Sequence, residues 1–238
     1  AVPGRVSGRA EGVIDAHRLT RVVEAVGLLR TSDALSAKEN AALEAWFGDL
    51  VQWMDTSPIG IEERGAANNH GLYYDRLIAH FALFAHKEAL AREVASKARA
   101  RRLDTQIAED GSLPLELKRT RSLHYSTWTL VAAFDLADAG RCVDVDLWSY
   151  RGPKGQSLRT AVDFLLPYAG HEDRWPYPKI DTSESADLME VLRRAAWQWS
   201  SPAYAQAAGL YDPRNAAHLL NLLIPPPPAS AQLDATSR

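Results

Sequence analysis

Two short segments carry residue types that suit one chemistry. Asn68-Asn69-His70 and the later segment ending in Tyr125 together supply an amide, an imidazole, a guanidinium and a phenol. These groups can bind a carboxylate while a proton is taken from the carbon beside it, because donors aimed at developing charge stabilise it and a phenol can transfer protons. A polymer of uronic acids offers such a carbon. This pair of segments therefore decides the functional interpretation.

The first segment has a structural interpretation beside the functional one. It stands just before an apolar-periodic stretch, and Asn is a favoured helix N-cap, so capping alone explains one of the two asparagines. Capping does not require a second Asn and a His. Tyr74, which follows closely, places an aromatic ring next to the amides. Residue types alone leave both interpretations open.

The second segment brings cations close to a tyrosine. Arg119 and Arg121 precede Tyr125, and His124 stands beside it. An adjacent positive charge favours a phenolate, so a tyrosine in this setting can serve as base, acid or both. The alternative is that the arginines pair with nearby carboxylates and that Tyr125 packs in the core.

The composition limits the kinds of fold and of binding partner that suit this chain. The 238 residues carry a net charge of −3, and 46% of them are hydrophobic, which is enough for a sizeable core. The near-neutral charge gives no reason to predict a nucleic-acid partner, and no apolar run is long enough for a membrane span. The single cysteine, Cys142, excludes an internal disulfide. The histidines show no recognisable ligand spacing, so we expect no metal site.

Periodicity predicts an all-α fold, because Ala and Leu recur at helical spacing and alternating strand patterns are scarce. A capping box at Ser36 predicts a helix that ends before Pro58. The chain is expected to form a single helical domain over residues 1–224, with a disordered Pro-rich tail over 225–238. The other predicted helices cover residues 15–29, 69–84, 87–107, 122–139, 157–168, 186–199 and 215–223.

The two segments resemble the signature of the alginate lyase superfamily. The resemblance rests on Asn-Asn-His-Gly-x-x-Tyr-Asp at residues 68–75 and on Gly-Ser-Leu-Pro-Leu-Glu-Leu at 111–117, running into 119–126. Residues 165–168 and 175–178 also resemble that superfamily. The resemblance therefore spans roughly residues 60–200. Arg119 stands six residues before Tyr125, as in a glucuronan- and alginate-cleaving branch, whereas Lys118 holds the position expected of periplasmic alginate lyases.

The resemblance implies an incomplete (α/α) toroid of antiparallel helix pairs that cleaves β-1,4-linked polyuronate, such as polymannuronate or glucuronan, by β-elimination. Asn69 and Arg119 would neutralise the carboxylate, and no metal or other cofactor would be needed. Tyr125 would remove the C5 proton and protonate the departing O4. His70 would complete the carboxylate pocket or act as a second base. Whether Arg119 or Arg121 binds the carboxylate stays open.

Further residues are predicted to contact the polysaccharide. Trp175 lies in a polar loop among cations, which suits an anionic glycan, whereas Trp128 lies in an apolar helix and is expected to pack in the core. The predicted substrate contacts are Asn68, Tyr74, Arg121, His124, Trp148 and Trp175.

Two other functions remain possible from the residues alone. One is a non-catalytic helical protein that binds glycans. The other is an (α/α) glycoside hydrolase, which needs two carboxylates flanking the bond; the available ones are Glu62, Glu63, Glu109, Asp110, Glu116, Asp181 and Glu184.

Completeness and location are expectations drawn from the same resemblance. The Trp-rich N-terminal portion of the family is not found before residue 60, which predicts a fragment or a chain completed by another polypeptide. A polymeric substrate predicts a periplasmic or secreted protein whose leader is already absent. The oligomeric state and the preferred uronate are not fixed by the sequence.

Overall fold

The structure, a computed structural model, describes residues 8–30, 32–180, 186–211 and 219–227. Within these ranges the regular elements are helices, and an isolated antiparallel bridge pairs Arg121 with Lys179. The predicted all-α class is confirmed, while the toroidal arrangement stays a prediction. None of the helices described is both long and apolar enough to cross a membrane. Residues 228–238, most of the predicted tail, lie outside the described ranges.

The chain packs as two compact units. The first comprises the described parts of residues 1–102 and 135–147, and the second those of 103–134 and 148–238. The divisions at 102 and 134 fall inside helical segments rather than in linkers. No linker-like composition marks these two divisions, which is why the sequence predicts a single domain.

The elements of the first unit are a 3₁₀ segment, Ala10–Leu19, and the helices α1 (Thr20–Leu29), α2 (Ala37–Thr56), α3 (Pro58–Gly65), α4 (Asn69–Phe84) and α5 (Glu88–Ala98). Helix α4 forms the centre of this unit. Its apolar side chains are buried around most of its circumference and meet Phe47, Val51 and Met54 of α2 in one core cluster. The other four helices and the 3₁₀ segment all pack against α4.

Side-chain caps set where these helices begin. Ser36 forms the predicted capping box with Glu39 at the start of α2. Pro58 does not merely end α2: Ser57 caps α3 by accepting from the Gly60 N–H at 3.0 Å, and Pro58 is the first residue of α3. Proline is favoured there because its missing N–H would have no intrahelical partner.

The first predicted helix differs from the structure. Residues 10–19 wind as a 3₁₀ helix, and the α-helix begins only at Thr20. The periodicity of this segment predicts one apolar stripe that includes Val22, Val26 and Leu29. Val26 is buried, but Val22 and Leu29 remain 40% and 41% exposed. Helix α1 therefore contacts the core through fewer of its apolar side chains than the periodicity predicts.

The predicted helix over 87–107 contains a change of winding. Helix α5 runs into a π-helical turn, Arg99–Leu103, and then into the short helix α6 (Asp104–Gln106). Such π turns are rare and occur frequently at functional sites.

In the second unit, α10 (Ala186–Trp199) packs against α9 (Leu158–Leu165) and α11 (Pro202–Gly209). An aromatic cluster of Phe134, Trp148 and Trp199 lies in this unit, with centroids of the first two rings 4.4 Å apart. Helix α11, which the periodicity missed, is short and begins at a Ser201 cap followed by Pro202. The remaining elements are α7 (Pro114–Leu117), α8 (Ser122–Arg141, which continues into the first unit), 3₁₀ turns at Leu166–Tyr168 and Glu172–Arg174, and α12 (Leu219–Leu223).

Candidate functional site

The amide segment forms the start of α4. Asn68 is the N-cap, and its side-chain oxygen accepts a hydrogen bond from the His70 N–H at 3.2 Å. Asn68 and His70 are partly exposed, whereas Asn69 is completely buried. Capping thus accounts for Asn68. The buried position of Asn69 means that direct contact with a sugar requires the side chain or its surroundings to move, and its role stays a prediction.

His70 has a carboxylate partner on the preceding helix. Its Nδ1 lies 2.7 Å from Oε1 of Glu63 in α3, and the Glu63 side chain is only 2% exposed, against 20% for His70. The histidine therefore reaches solvent while its partner does not. No local pattern signals this pairing, because the two residues stand seven positions apart with a helix break between them.

A buried arginine fixes the turn between α3 and α4. Arg102 donates to the carbonyl oxygens of Arg64 and Ala66, each at 2.8 Å, and its Nε donates to Asp75 at 2.8 Å. Arg101 donates to the same carboxylate at 2.6 Å. Charge-assisted hydrogen bonds of this kind are about twice as strong as neutral ones. The backbone that presents Asn68 to His70 is consequently held by one ion cluster.

Gly71 fits against this cluster because it lacks a side chain. A Cβ built on Gly71 would lie 2.1 Å from the Ala66 carbonyl oxygen and 2.3 Å from Nη1 of Arg102. Both distances are far shorter than any real carbon contact. The glycine in the Asn-Asn-His-Gly motif thus lets the turn and the arginine approach the helix.

Tyr125 lies in the first turn of α8 and is partly exposed. The guanidinium of Arg119 stacks on its ring, with 3.8 Å between the guanidinium carbon and the ring centroid. The sequence-predicted neighbours Arg119 and Tyr125 are thus brought into direct contact. Arg121 is also partly exposed, and its main-chain oxygen accepts from the Tyr125 N–H at 3.0 Å.

His124 and Trp128 extend this group along α8. Their rings stack at a centroid distance of 6.1 Å and an interplanar angle of 14°, and Trp128 meets Tyr125 edge-on at 6.4 Å. Nδ1 of His124 lies 3.3 Å from Oδ2 of Asp187 in α10. Trp128 is partly exposed, so the predicted core role is wrong in part. Its spacing of three and four residues from Tyr125 and His124 is the signal that could have identified it.

Trp175 supports the start of α8 rather than facing solvent. It is 7% exposed, and its indole N–H donates to the Ser122 hydroxyl at 2.7 Å, which donates in turn to the Pro178 carbonyl at 2.6 Å. Its ring also meets Tyr168 and Tyr177 edge-on. The structure therefore does not support the predicted stacking of Trp175 on sugar, because packing in this cluster occupies the ring.

Trp148 is 3% exposed, but it lines a cavity. The cavity has a volume of about 190 Å³, and its walls include Trp148 and Trp199 together with Arg151 and Arg159. Ser149, Tyr150 and Ser157 add hydroxyl groups. Aromatic faces beside guanidinium groups suit a small anionic, partly apolar ligand.

Tyr74 is a core residue, which corrects its prediction as a substrate contact. It is 1% exposed, and its hydroxyl donates to the Met54 carbonyl at 3.1 Å. Burial, with a smaller contribution from the nearby Asp55, raises the pKa of Tyr74 to about 12. The motif places the residue correctly on α4, but on the side that faces the apolar core.

Of the carboxylates considered for hydrolysis, Glu62 and Glu109 are exposed, whereas Glu63, Asp110 and Glu116 are hydrogen-bonded or buried. Glu63 contacts His70. Asp110 accepts from the Ser112 N–H at 2.9 Å. Hydrogen bonding to Ser112, from its side chain first and its backbone N–H second, holds the pKa of Asp110 below its usual value. Glu116 is 2% exposed. Asp181 and Glu184 lie outside the described residues. Across the described ranges, no three His, Cys, Asp or Glu side chains are grouped as a metal site would need.

The two groups of candidate residues belong to different compact units, so each is described by itself. The first unit holds Asn68, Asn69 and His70 with Glu63, and can bind or transfer a proton through the exposed part of the imidazole. The second holds Arg119, His124, Tyr125 and Trp128, which combine a phenol, cations and an aromatic surface. That second set can transfer a proton next to an anionic sugar.

Comparison with known proteins identifies related sequences and structures. The profile of the family described as alginate lyase matches residues 1–175. An alginate lyase from Bacteroides ovatus, solved at 1.60 Å, superposes with a TM-score of 0.88 at 31% sequence identity. The match covers 94% of this chain and 60% of that one, so the chain spans less than two thirds of its relative's length. No curated protein matches the sequence.

Proposed function

Because the chain belongs to the alginate lyase family, we propose that it is a polysaccharide lyase that cleaves β-1,4-linked polyuronate by β-elimination. One observation carries this proposal: a partly exposed phenol, Tyr125, lies under the guanidinium of Arg119 at 3.8 Å. A proton-transferring group and a fixed positive charge are the two components that the reaction requires.

The chemistry explains why both are needed. The hydrogen at C5 of a uronate is not acidic enough to leave unaided. It becomes acidic when the neighbouring carboxylate is neutralised, because negative charge can then develop on that group. Preorganised donors aimed at developing charge are usually the largest single contribution to catalysis.

In the proposed step, the Tyr125 phenolate takes the C5 proton. The electron pair of the C5–H bond forms the C4–C5 double bond, the C4–O4 bond breaks, and the departing O4 receives a proton from the tyrosine. One phenol can serve both transfers when the proton and the leaving group lie on the same face, as in mannuronate or glucuronate. In guluronate they lie on opposite faces, and His70 is the proposed second group.

Arg119 is the proposed carboxylate partner, because of the two candidate arginines it is the one stacked on Tyr125. Asn69 and His70 are proposed to assist in neutralising the carboxylate. For Asn69, replacement by Ala should lower kcat more than it raises KM if its contact strengthens in the transition state. A raised KM with unchanged kcat would contradict this role.

Further contacts with the polymer are proposed at both described groups. Asn68 and Arg121 have partly exposed side chains, and the His124–Trp128 stack offers an aromatic face beside Tyr125. Trp148 is proposed to bind a sugar through the cavity that it shares with Arg151 and Arg159. Guanidinium groups pair well with carboxylates because their donors match the two oxygens.

The proposed substrates are polymannuronate, as in alginate, and glucuronan. The proposed location is the periplasm or the outside of the cell, because the proposed substrates are polymers. The chain spans 60% of the length of its solved relative. A remaining portion, in the same or another polypeptide, is proposed to complete the substrate-binding surface.

The test is the ultraviolet absorbance of the unsaturated uronate product while the protein is mixed separately with polymannuronate, polyguluronate and glucuronan. A rise with one polymer is the expected result and identifies the substrate. A folded sample that gives no rise with any of them, yet binds one in a titration, would replace the proposal with a non-catalytic glycan-binding protein. New reducing ends without absorbance would indicate hydrolysis.

A further inference from the structure

Glu63 forms a buried contact with the candidate histidine that the proposed reaction does not itself require. Its Oε1 lies 2.7 Å from Nδ1 of His70. The Glu63 side chain is 2% exposed, and the His70 side chain is 20% exposed. A carboxylate is costly to bury unless it is paired and hydrogen-bonded. The position of Glu63 is thus tied to that of the imidazole.

Both partners are held by rigid elements. Glu63 belongs to α3, and His70 follows the Asn68 cap in the first turn of α4. Arg102 donates to the carbonyl of Arg64 in the last turn of α3 and to that of Ala66, which follows the helix. The carboxylate and the imidazole are therefore set against each other by the backbone on both sides.

The contact dictates which ring nitrogen can act. An ionised carboxylate only accepts hydrogen bonds, and a neutral imidazole has one N–H and one lone pair. The proton of neutral His70 therefore lies on Nδ1, toward Glu63, and the lone pair lies on Nε2. Nε2 is then the ring nitrogen that can exchange a proton with a substrate.

We propose that Glu63 is a positioning residue that fixes His70 as the Nδ1–H tautomer and so directs Nε2 toward the sugar. This inference rests on the proposed lyase function for its catalytic consequence, but its geometric part does not. The competing explanation is that the pair only fastens α3 to α4.

The experiment compares Glu63→Gln with the wild-type chain. The glutamine has nearly the same shape but no charge, and its amide can turn either its oxygen or its NH₂ group toward Nδ1. Glu62→Gln is the matched control, because it makes the same charge change at an exposed neighbouring position of α3. The imidazole ¹⁵N resonances of His70 report the tautomer, and their assignment follows from their absence in His70→Gln.

The expected result has three parts. Wild type and Glu62→Gln show the Nδ1–H tautomer, whereas Glu63→Gln shows a mixture or the Nε2–H form. On the polymer that the wild type cleaves, Glu63→Gln lowers kcat at least about tenfold with little change in KM, in keeping with the loss seen when a histidine's orienting carboxylate is neutralised. Circular dichroism shows that the variant is folded.

The results that would overturn the role of Glu63 differ from those that would overturn the lyase proposal. The positioning role is wrong if Glu63→Gln keeps the wild-type tautomer of His70. It is also wrong if Glu63→Gln changes the tautomer but retains the kcat of an active wild type. A wild type that cleaves no polyuronate would overturn the lyase proposal, and the tautomer would still decide whether Glu63 orients His70. If Glu63→Gln does not fold, Glu63→Asp is tested, which keeps the carboxylate on a shorter side chain. A changed tautomer with a lowered kcat would support the inference, and a changed tautomer with full activity would overturn it.

Discussion

The guanidinium of Arg119 covers the face of the Tyr125 ring, with 3.8 Å between the guanidinium carbon and the ring centroid. The contact engages the face of the ring, so the hydroxyl at its edge is not consumed by it. Cation–π contacts of this type contribute about 0.5–2 kcal/mol. The relationship holds the phenol in place and keeps a positive charge beside it.

Tyr125→Phe should abolish lyase turnover and leave the fold intact, because it removes only the hydroxyl. We expect kcat to fall by at least about 100-fold, the lower range for loss of a general acid–base group. Product absorbance gives the rate, and thermal unfolding checks the fold. Tyr168→Phe makes the same change at another partly exposed tyrosine of the same unit and should stay active. Normal turnover by Tyr125→Phe would refute its role.

Replacing each arginine separately should identify the one that binds the carboxylate. Arg119→Ala removes both charge and stacking, so kcat should fall more than KM rises. Arg119→Lys keeps the charge but not the planar stack, and should be intermediate. Arg121→Ala should have the smaller effect on kcat. The reverse order, measured by steady-state kinetics, would assign the carboxylate to Arg121.

Gly71→Ala should destabilise the first unit, because the added methyl group would meet the Ala66 carbonyl at 2.1 Å. Overpacking against backbone typically costs about 1–3 kcal/mol, and the upper part of that range is expected here. Gly65→Ala is the control, since a Cβ there meets nothing within 4 Å. Urea unfolding measures both variants. Equal free energies of unfolding for the two variants would contradict this prediction and show that the backbone at Ala66 can move to accommodate the methyl group.

Stability should decrease on mild acidification because of His80. Burial lowers the pKa of His80 below its ordinary 6.5, an effect that the nearby Asp135 partly opposes. Below about pH 6.5 the unfolded chain therefore binds a proton that the folded chain resists, and the free energy of unfolding falls as pH falls. This loss ends once the pH is below the lowered pKa of the folded state.

The measurement for His80 is urea unfolding at about pH 7.5 and about pH 5.5, on either side of the ordinary histidine pKa. His80→Gln should lose less stability between these values than the wild type. His171→Gln, at an exposed position, should behave like the wild type. Identical losses in the wild type and His80→Gln would contradict the assignment.

Local signals predicted the helices well, and long-range partners explain what they missed. The Ser36 capping box and the start of α4 at Asn69 depend only on residues close by in the sequence, so both helix starts can be predicted from local patterns. The pairing of Asp75 with Arg102 joins residues 27 apart, and no local pattern encodes it.

The candidate site shows the same limit. The motifs predicted that Arg119 and Tyr125 lie together, as the structure confirms. They did not predict that Tyr74 and Trp175 are buried, because residue type and polarity of the surrounding sequence do not specify which helix face meets the core. The helical spacing of Trp128 was visible, but it fits a packed side chain as well as a partly exposed one.

The number of residues in the π-helical turn at Arg99–Leu103 affects the contacts that its arginines make. A π turn accommodates more residues per turn than an α-helix, and here both Arg101 and Arg102 reach the carboxylate of Asp75. Removing one residue would allow regular α-helical winding, in which neighbouring side chains point about 100° apart, so Arg101 and Arg102 would no longer be placed to share that carboxylate. The turn that presents His70 therefore depends on how many residues lie in a helix remote from it in sequence, and a one-residue deletion there would act as a site mutation.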